Sequence, residues 1–143
     1  LGIPEKTDPL VTDGKAGLVK AFQDVTAAWD STGLCLFTSF AWSLENVAPH
    51  MDSACEGDWD ANRLMETGER IWNLERDFNM RAGLTAADDT LPKRMLEEAA
   101  NTGPAEGKVS GLAEMLPEYY KERGWRQDGN LSDETRERLR LPG

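Results

Sequence analysis

Apolar residues along this chain recur at helical spacing, and the polar residues between them carry the signals that start and stop helices. Leu18, Phe22, Val25 and Trp29 fall at i, i+4, i+7 and i+11 behind Asp13, which predicts an amphipathic helix capped by that aspartate and closed by Gly33. A second apolar stretch, "LCLFTSFAW", leads into "SLENVAPHMDSAC", with Ser43 as the N-cap and Pro49 as a kink or boundary. The clearest pattern is "DANRLMETGERIWNLERDFNMRAG", a long helix from an Asp60 cap to a stop at Gly83. Its buried stripe is expected at Leu64, Ile71, Leu74 and Phe78, with Glu66, Arg70, Asn73 and Asp77 on the opposite side.

Beyond that helix the pattern breaks into shorter pieces. Thr85 stands three residues before Asp88, the spacing of a helix start, and "KRMLEEAA" then predicts a short helix running into the Gly- and Pro-rich loop "NTGPAEGK". Leu112, Met115, Leu116 and Tyr119 form another helical stripe, stopped at Gly124, in which Pro117 predicts a bend or a late start. Ser132 caps a last short helix and places Asp133 and Glu134 at its positive end. Residues 1–12, with two prolines and no helical period, read as a strap over the surface. No segment alternates with period two, so the fold expected is all-α, a multihelical domain of about five or six helices.

Composition narrows the class of function. Hydrophobic residues at 39% with five tryptophans are too many for a disordered chain, and 143 residues suffice for one domain with a core. The formal charge of -10, from 26 acidic against 16 basic residues, opposes binding to nucleic acid and to anionic membranes. No apolar run long enough for a bilayer span and no secretory signal pattern is present, and two cysteines suit a reducing compartment, so a cytoplasmic location is expected. A chain whose first residue is leucine is expected to be a fragment or a processed product.

Three residues raise chemical questions. Cys35 follows a helix-ending glycine, where a cysteine is either a small apolar residue of the core or a soft ligand for a metal or cluster. An iron–sulfur cluster needs four such ligands, and the chain holds only Cys35 and Cys55. Asp30 lies at the negative end of the first helix, where its charge is disfavoured unless solvent, an arginine, or a ligand with paired N–H groups compensates it. His50 is the only histidine and has no partner set for a zinc site or a catalytic triad. In "GERIWNLERDFN", Glu66 and Arg70 form an i to i+4 pair, and Trp72 and Phe78 are expected in the core.

Taken in order, the stretches "DSTGLCLF", "GERIWNLERDFNMRAGLTAADDTLPKR", "GPAEGKV" and "EMLPEYYKERGW" resemble the C-terminal helical domain of the tungsten-containing aldehyde:ferredoxin oxidoreductase family, over nearly the whole chain. The resemblance implies that residues 1–143 are such a domain, a fragment of a longer enzyme. It also implies that Asp30, in the family's Asp-x-x-Gly-Leu-Cys motif, binds the amino and ring N–H groups of one pterin of a tungsten bis-pterin. Cys35 is then the fourth ligand of a 4Fe-4S cluster whose other cysteines lie outside this chain, and Gly33 and Leu34 shape the turn between the two. The whole enzyme would oxidise an aldehyde to a carboxylic acid and pass electrons through the cluster to ferredoxin. Its N-terminal and middle domains, ferredoxin and a small-molecule aldehyde are the partners so implied, and the isolated domain would be inactive. The competing reading is a non-catalytic helical interaction module that retains the scaffold and buries Cys35 as core.

Overall fold

The structure, a computed structural model, describes residues 7–142, so the part of the expected strap before residue 7 lies outside the described residues. Six helices follow one another: α1 (Lys15–Ser31), α2 (Leu44–Ala54), α3 (Ala61–Arg81), α4 (Lys93–Glu97), α5 (Leu112–Arg123) and α6 (Asp133–Arg138). Short 3-10 turns at Leu36–Phe40 and Ala86–Asp88 join them, and among the described residues pairing of extended backbone is limited to two isolated bridges. The all-α expectation holds.

Local signals set most of the boundaries. Asp60 accepts from the Arg63 N–H at 2.7 Å, Ser132 from Thr135, and both Ser43 and Thr85 form reciprocal capping boxes. Gly124 ends α5 in the left-handed conformation at φ 68°. Three expectations change. Gly14, not Asp13, occupies the N-cap of α1, at φ 68°, because the chain must turn sharply there and only glycine does so without strain. Pro49 lies inside α2 instead of bounding it; Pro49 and Glu45, whose carbonyl loses its usual partner, are both exposed to solvent. Pro117 likewise lies within α5, which begins upstream of it at Leu112.

The apolar core is small and sits where α1, α2 and α3 meet. Ala28, Trp29, Leu44, Val47, Ala48 and Leu64 are buried together, with Val25, Leu34, Met51, Trp59, Ala61 and Met65 packed around them. α1 and α3 cross at Gly68, whose missing side chain lets the Asp24 carbonyl oxygen lie against the α3 backbone. Trp72 adds a second tie at that crossing, donating its indole N–H to the Gln23 carbonyl at 2.8 Å.

The expected stripe of α3 is corrected over its second half. Leu64 is buried and Ile71 half-buried, but Leu74 is exposed and Phe78 is 72% exposed, whereas Asn73 and Asp77 are buried. Asn73 accepts from the Trp125 indole at 2.8 Å, and Asp77 pairs with Arg136 and with Arg81 at 3.0 Å. Long-range partners thus bury Asn73 and Asp77 on the polar side of α3, while Leu74 and Phe78 have no cover among the described residues. Phe22 of α1 is exposed in the same way, although Trp29 on the face predicted to be buried is only 2% exposed.

Polar networks take the place of apolar packing in the lower half of the domain. Arg123, fully buried, donates to Asp24 at 2.5 Å and to the Gln23 side-chain oxygen at 2.5 Å; Asp24 also meets Lys20, and Lys20 meets Glu69, which accepts a two-pronged contact from Arg138. Arg76 makes a second two-pronged contact at 2.6 Å to Asp89, which also accepts from Tyr120. Such buried charges are costly unless fully paired, and no buried side-chain donor or acceptor among the described residues lacks a partner.

These pairs set a pH dependence. The Arg136 hydrogen bond holds Asp77 below the ordinary aspartate value of 3.8; burial alone would raise Asp89, but the hydrogen bonds from Arg76 and Tyr120 and the Arg76 charge outweigh it. Burial would also raise Glu69 above 4.5, and Arg138 and Lys20 outweigh it in turn. A depressed carboxylate contributes stability that is present above its unfolded pKa and lost as pH falls through its folded one. The urea midpoint of the chain is therefore expected to hold steady down to about pH 4.5 and to fall steeply below about pH 4. A midpoint that stays flat down to about pH 2.5 would contradict the role given to these pairs.

The candidate cofactor-contact turn at the end of α1

The stretch from Asp30 to Cys35 is a turn fixed from both sides. On the α1 side, Trp29 anchors it in the core, and the Thr32 hydroxyl donates to the Trp29 carbonyl at 2.7 Å while accepting from the Leu34 N–H at 3.2 Å. Gly33 reverses the chain at φ 76°, a conformation strained for any other residue, with its N–H directed at the Asp30 carbonyl at 3.3 Å. Leu34 then tucks against the core cluster.

Cys35 is held by its backbone. Its carbonyl accepts from the Trp29 indole at 3.3 Å, the Thr38 N–H at 3.0 Å and the Thr38 hydroxyl at 2.7 Å. The thiol is exposed and free, as is that of Cys55. Apolar residues follow it at once: Leu36, Phe37, Phe40 and Trp42 are all exposed, Phe37 by 78% and Phe40 by 83%, and the two phenylalanine rings stack with centroids 6.0 Å apart. Four large apolar side chains left to solvent beside one thiol mark a contact surface.

Asp30 is exposed at the other end of the turn and forms no ion pair among the described residues. It lines a groove of about 370 Å³ with Gln23, Thr26, Ala27 and Ser31 of α1 and with Ile71, Trp72 and Glu75 of α3. The four residues of the sequence-predicted motif thus divide into two exposed side chains, Asp30 and Cys35, and two residues, Gly33 and Leu34, that set the turn between them.

The chemistry of the donors fits the groups that the resemblance implies. An exposed thiol with an immobilised main chain suits a cluster ligand, and an unpaired carboxylate accepts two N–H groups in fork geometry. Among the described residues no three His, Cys, Asp or Glu side chains come together as a metal site, so ligands beyond Cys35 would come from outside this region. His50 stacks on Trp42 at 5.3 Å and takes no part in the turn. Sequence reasoning missed Trp29, Thr32 and Thr38 as supports, and Gln23 and Glu75 as groove residues. The one available signal was the seven-residue spacing that sets Gln23 and Asp30 on one face of α1.

Comparison with known proteins gives the family. Residues 2–141 match the family model described as aldehyde ferredoxin oxidoreductase, domains 2 & 3. The tungsten-containing aldehyde ferredoxin oxidoreductase of Pyrococcus furiosus is 48% identical over 141 residues, covering 97% of this chain and 23% of that protein. The corresponding protein of Thermococcus kodakarensis is 46% identical over 141 residues, with the same coverage. The chain therefore spans about a quarter of the length of these relatives. Among solved structures, the active site complex BamBC of benzoyl coenzyme A reductase with 1,5-dienoyl-CoA superposes with a TM-score of 0.73 over 96% of this chain and 21% of that one; at 20% identity the likeness is one of fold. The ordered motifs, the helical fold and these matches converge, and the chain belongs to the aldehyde ferredoxin oxidoreductase family as a C-terminal helical domain.

Proposed function

We propose that this domain serves a tungsten-pterin aldehyde oxidoreductase by closing its cofactor site, with Asp30 accepting pterin N–H groups and Cys35 supplying one thiolate to a 4Fe-4S cluster. The observation that carries this reading is Cys35 itself, a free thiol left in solvent while its carbonyl is immobilised by Trp29 and Thr38. The interaction-module reading expects Cys35 buried as core, and its exposure favours the ligand reading; Cys55 is exposed as well, so the immobilised carbonyl is what sets Cys35 apart.

When bound, the tungsten pterin and the cluster supply the conversion of an aldehyde and water to a carboxylic acid, two protons and two electrons, the electrons leaving singly for ferredoxin. This chain's own residues position and enclose. Asp30 orients a heterocycle by its N–H edge; Gly33 and Leu34 fix the distance between that edge and Cys35. Phe37 and Phe40 exclude water once the N-terminal and middle domains of the same enzyme cover them. In isolation the domain would be inactive, and its location would be cytoplasmic.

Alkylation distinguishes the two exposed cysteines. In the full-length polypeptide that contains this sequence, Cys55 is expected to react rapidly with iodoacetamide, while Cys35 stays protected until chelation and oxidation remove the iron. Cys35 reacting as fast as Cys55 in iron-loaded protein would overturn the ligand assignment.

A further inference from the structure

The side-chain amide of Gln23 is oriented more firmly than a surface glutamine needs. Its oxygen accepts from the Tyr119 hydroxyl at 2.7 Å and from the Arg123 guanidinium at 2.5 Å, and Arg123 in turn donates to the Tyr119 oxygen at 3.0 Å. Arginine has donors only, so the atom that faces it must be the amide oxygen. Arg123 is fully buried and fixed independently by Asp24, so this arrangement cannot rotate as a unit. The amide NH2 has no hydrogen-bond partner among the described residues, and Gln23 lines the groove that it shares with Asp30, Glu75 and Trp72.

The groove has a one-sided character. Its charged lining residues are the carboxylates Asp30 and Glu75; no lysine or arginine lines it, and Thr26 and Ser31 add hydroxyls. A heterocycle that offers N–H groups to Asp30 also carries oxo and ring-nitrogen acceptors, which in such a groove have no cationic donor to meet. The Gln23 amide nitrogen is a strong neutral donor at that wall.

We propose that Gln23 is a second ligand-binding side chain of this groove, held by Arg123 and Tyr119 so that its amide NH2 donates to an acceptor on the heterocycle whose N–H groups Asp30 takes. The inference rests on the reading of Asp30 as a pterin contact and adds to it a residue and a polarity. Asp30 selects the donor edge of the ring system; Gln23 selects its acceptor edge.

The substitution Gln23→Glu separates this role from a structural one. Glutamate keeps an oxygen for Arg123 and Tyr119 but offers an acceptor where the amide offered a donor. In the full-length polypeptide, pterin released and quantified by fluorescence, per mole of folded protein after gel filtration, is expected to fall about threefold or more, with the thermal midpoint unchanged. Thr135→Val removes the interior bond from the Thr135 hydroxyl to the Gly124 carbonyl without touching the groove or the side chains that hold Gln23, and is expected to lower the midpoint while pterin per folded protein stays at the wild-type level. Full pterin in Gln23→Glu overturns the proposal. A parallel Asp30→Asn variant locates the failure: if it too retains full pterin, the Asp30 reading fails first; if it loses pterin while Gln23→Glu keeps it, only the role of Gln23 is wrong.

Discussion

Replacing Gly68 by alanine is expected to destabilise the domain by about 3 kcal/mol or more, although the same change in an ordinary helix interior would add about 1 kcal/mol of stability. Gly68 lies in the middle of α3, where helix propensity alone favours alanine. A Cβ built there would overlap the Asp24 carbonyl oxygen and stand 2.6 Å from its carbon. These are backbone atoms, so no rotamer change relieves the overlap. α1 would have to move away from α3, but Trp29 fixes one end of α1 in the core and the Asp24–Arg123 pair fixes its middle. Gly17, also within α1, is the control: its nearest neighbour would be the far end of Glu122 at 3.9 Å, and alanine there is expected to be neutral or mildly stabilising. Urea unfolding of the two variants measures both. A Gly68→Ala protein as stable as the parent would mean that α1 and α3 are not held at this distance.

Gly68 also illustrates what the sequence could not convey. Its role depends on a backbone atom 44 positions earlier, and nothing in the local pattern of α3 announces it. Features governed by neighbours within a turn were legible: the Asp60 and Ser132 caps, the Thr85–Asp88 box, the Gly124 stop and the Gly33 reversal follow rules that act over four residues. The Asp13 cap and the reading of Pro49 as a boundary failed because those local rules also allow other outcomes. The burial of α3 was misread for a deeper reason. Hydrophobic periodicity finds apolar surface but is silent on whether its cover lies in the same chain, so Leu74 and Phe78 read as core and are exposed. Conversely, Arg123, Asp24, Asn73 and Asp77 are buried because charges and amides from α5, α6 and Trp125 complete them across the fold. At the site, motif order gave Asp30 and Cys35; their supports, Trp29, Thr32, Thr38 and Gln23, became visible only through distances.

Replacing Cys35 by alanine in the full-length polypeptide is expected to remove most of its iron and to lower aldehyde oxidation at least about 100-fold, with the fold unaffected. Losing an outer-shell partner alone costs about 10- to 100-fold at a metal centre, and a thiolate bound directly to iron contributes more than its supports do. Stability of the cluster-free polypeptide should not follow activity, because the thiol is exposed and the turn is held by the Cys35 carbonyl, which alanine retains together with its bonds to Trp29 and Thr38. Iron and sulfide per mole, an EPR spectrum of the reduced protein and a thermal midpoint together separate the two effects. Loss of iron with a midpoint equal to that of the parent stripped of its cluster is the signature of a ligand. A midpoint below that of the stripped parent would instead mark Cys35 as part of the packing between domains, where Leu36, Phe37 and Phe40 already provide apolar contact. Cys55→Ala supplies the comparison for solvent-exposed thiols and is expected to leave iron, activity and midpoint unchanged. Full iron in the Cys35 variant would detach the cluster from this domain, and the apolar surface that follows Cys35 would then serve interdomain contact alone.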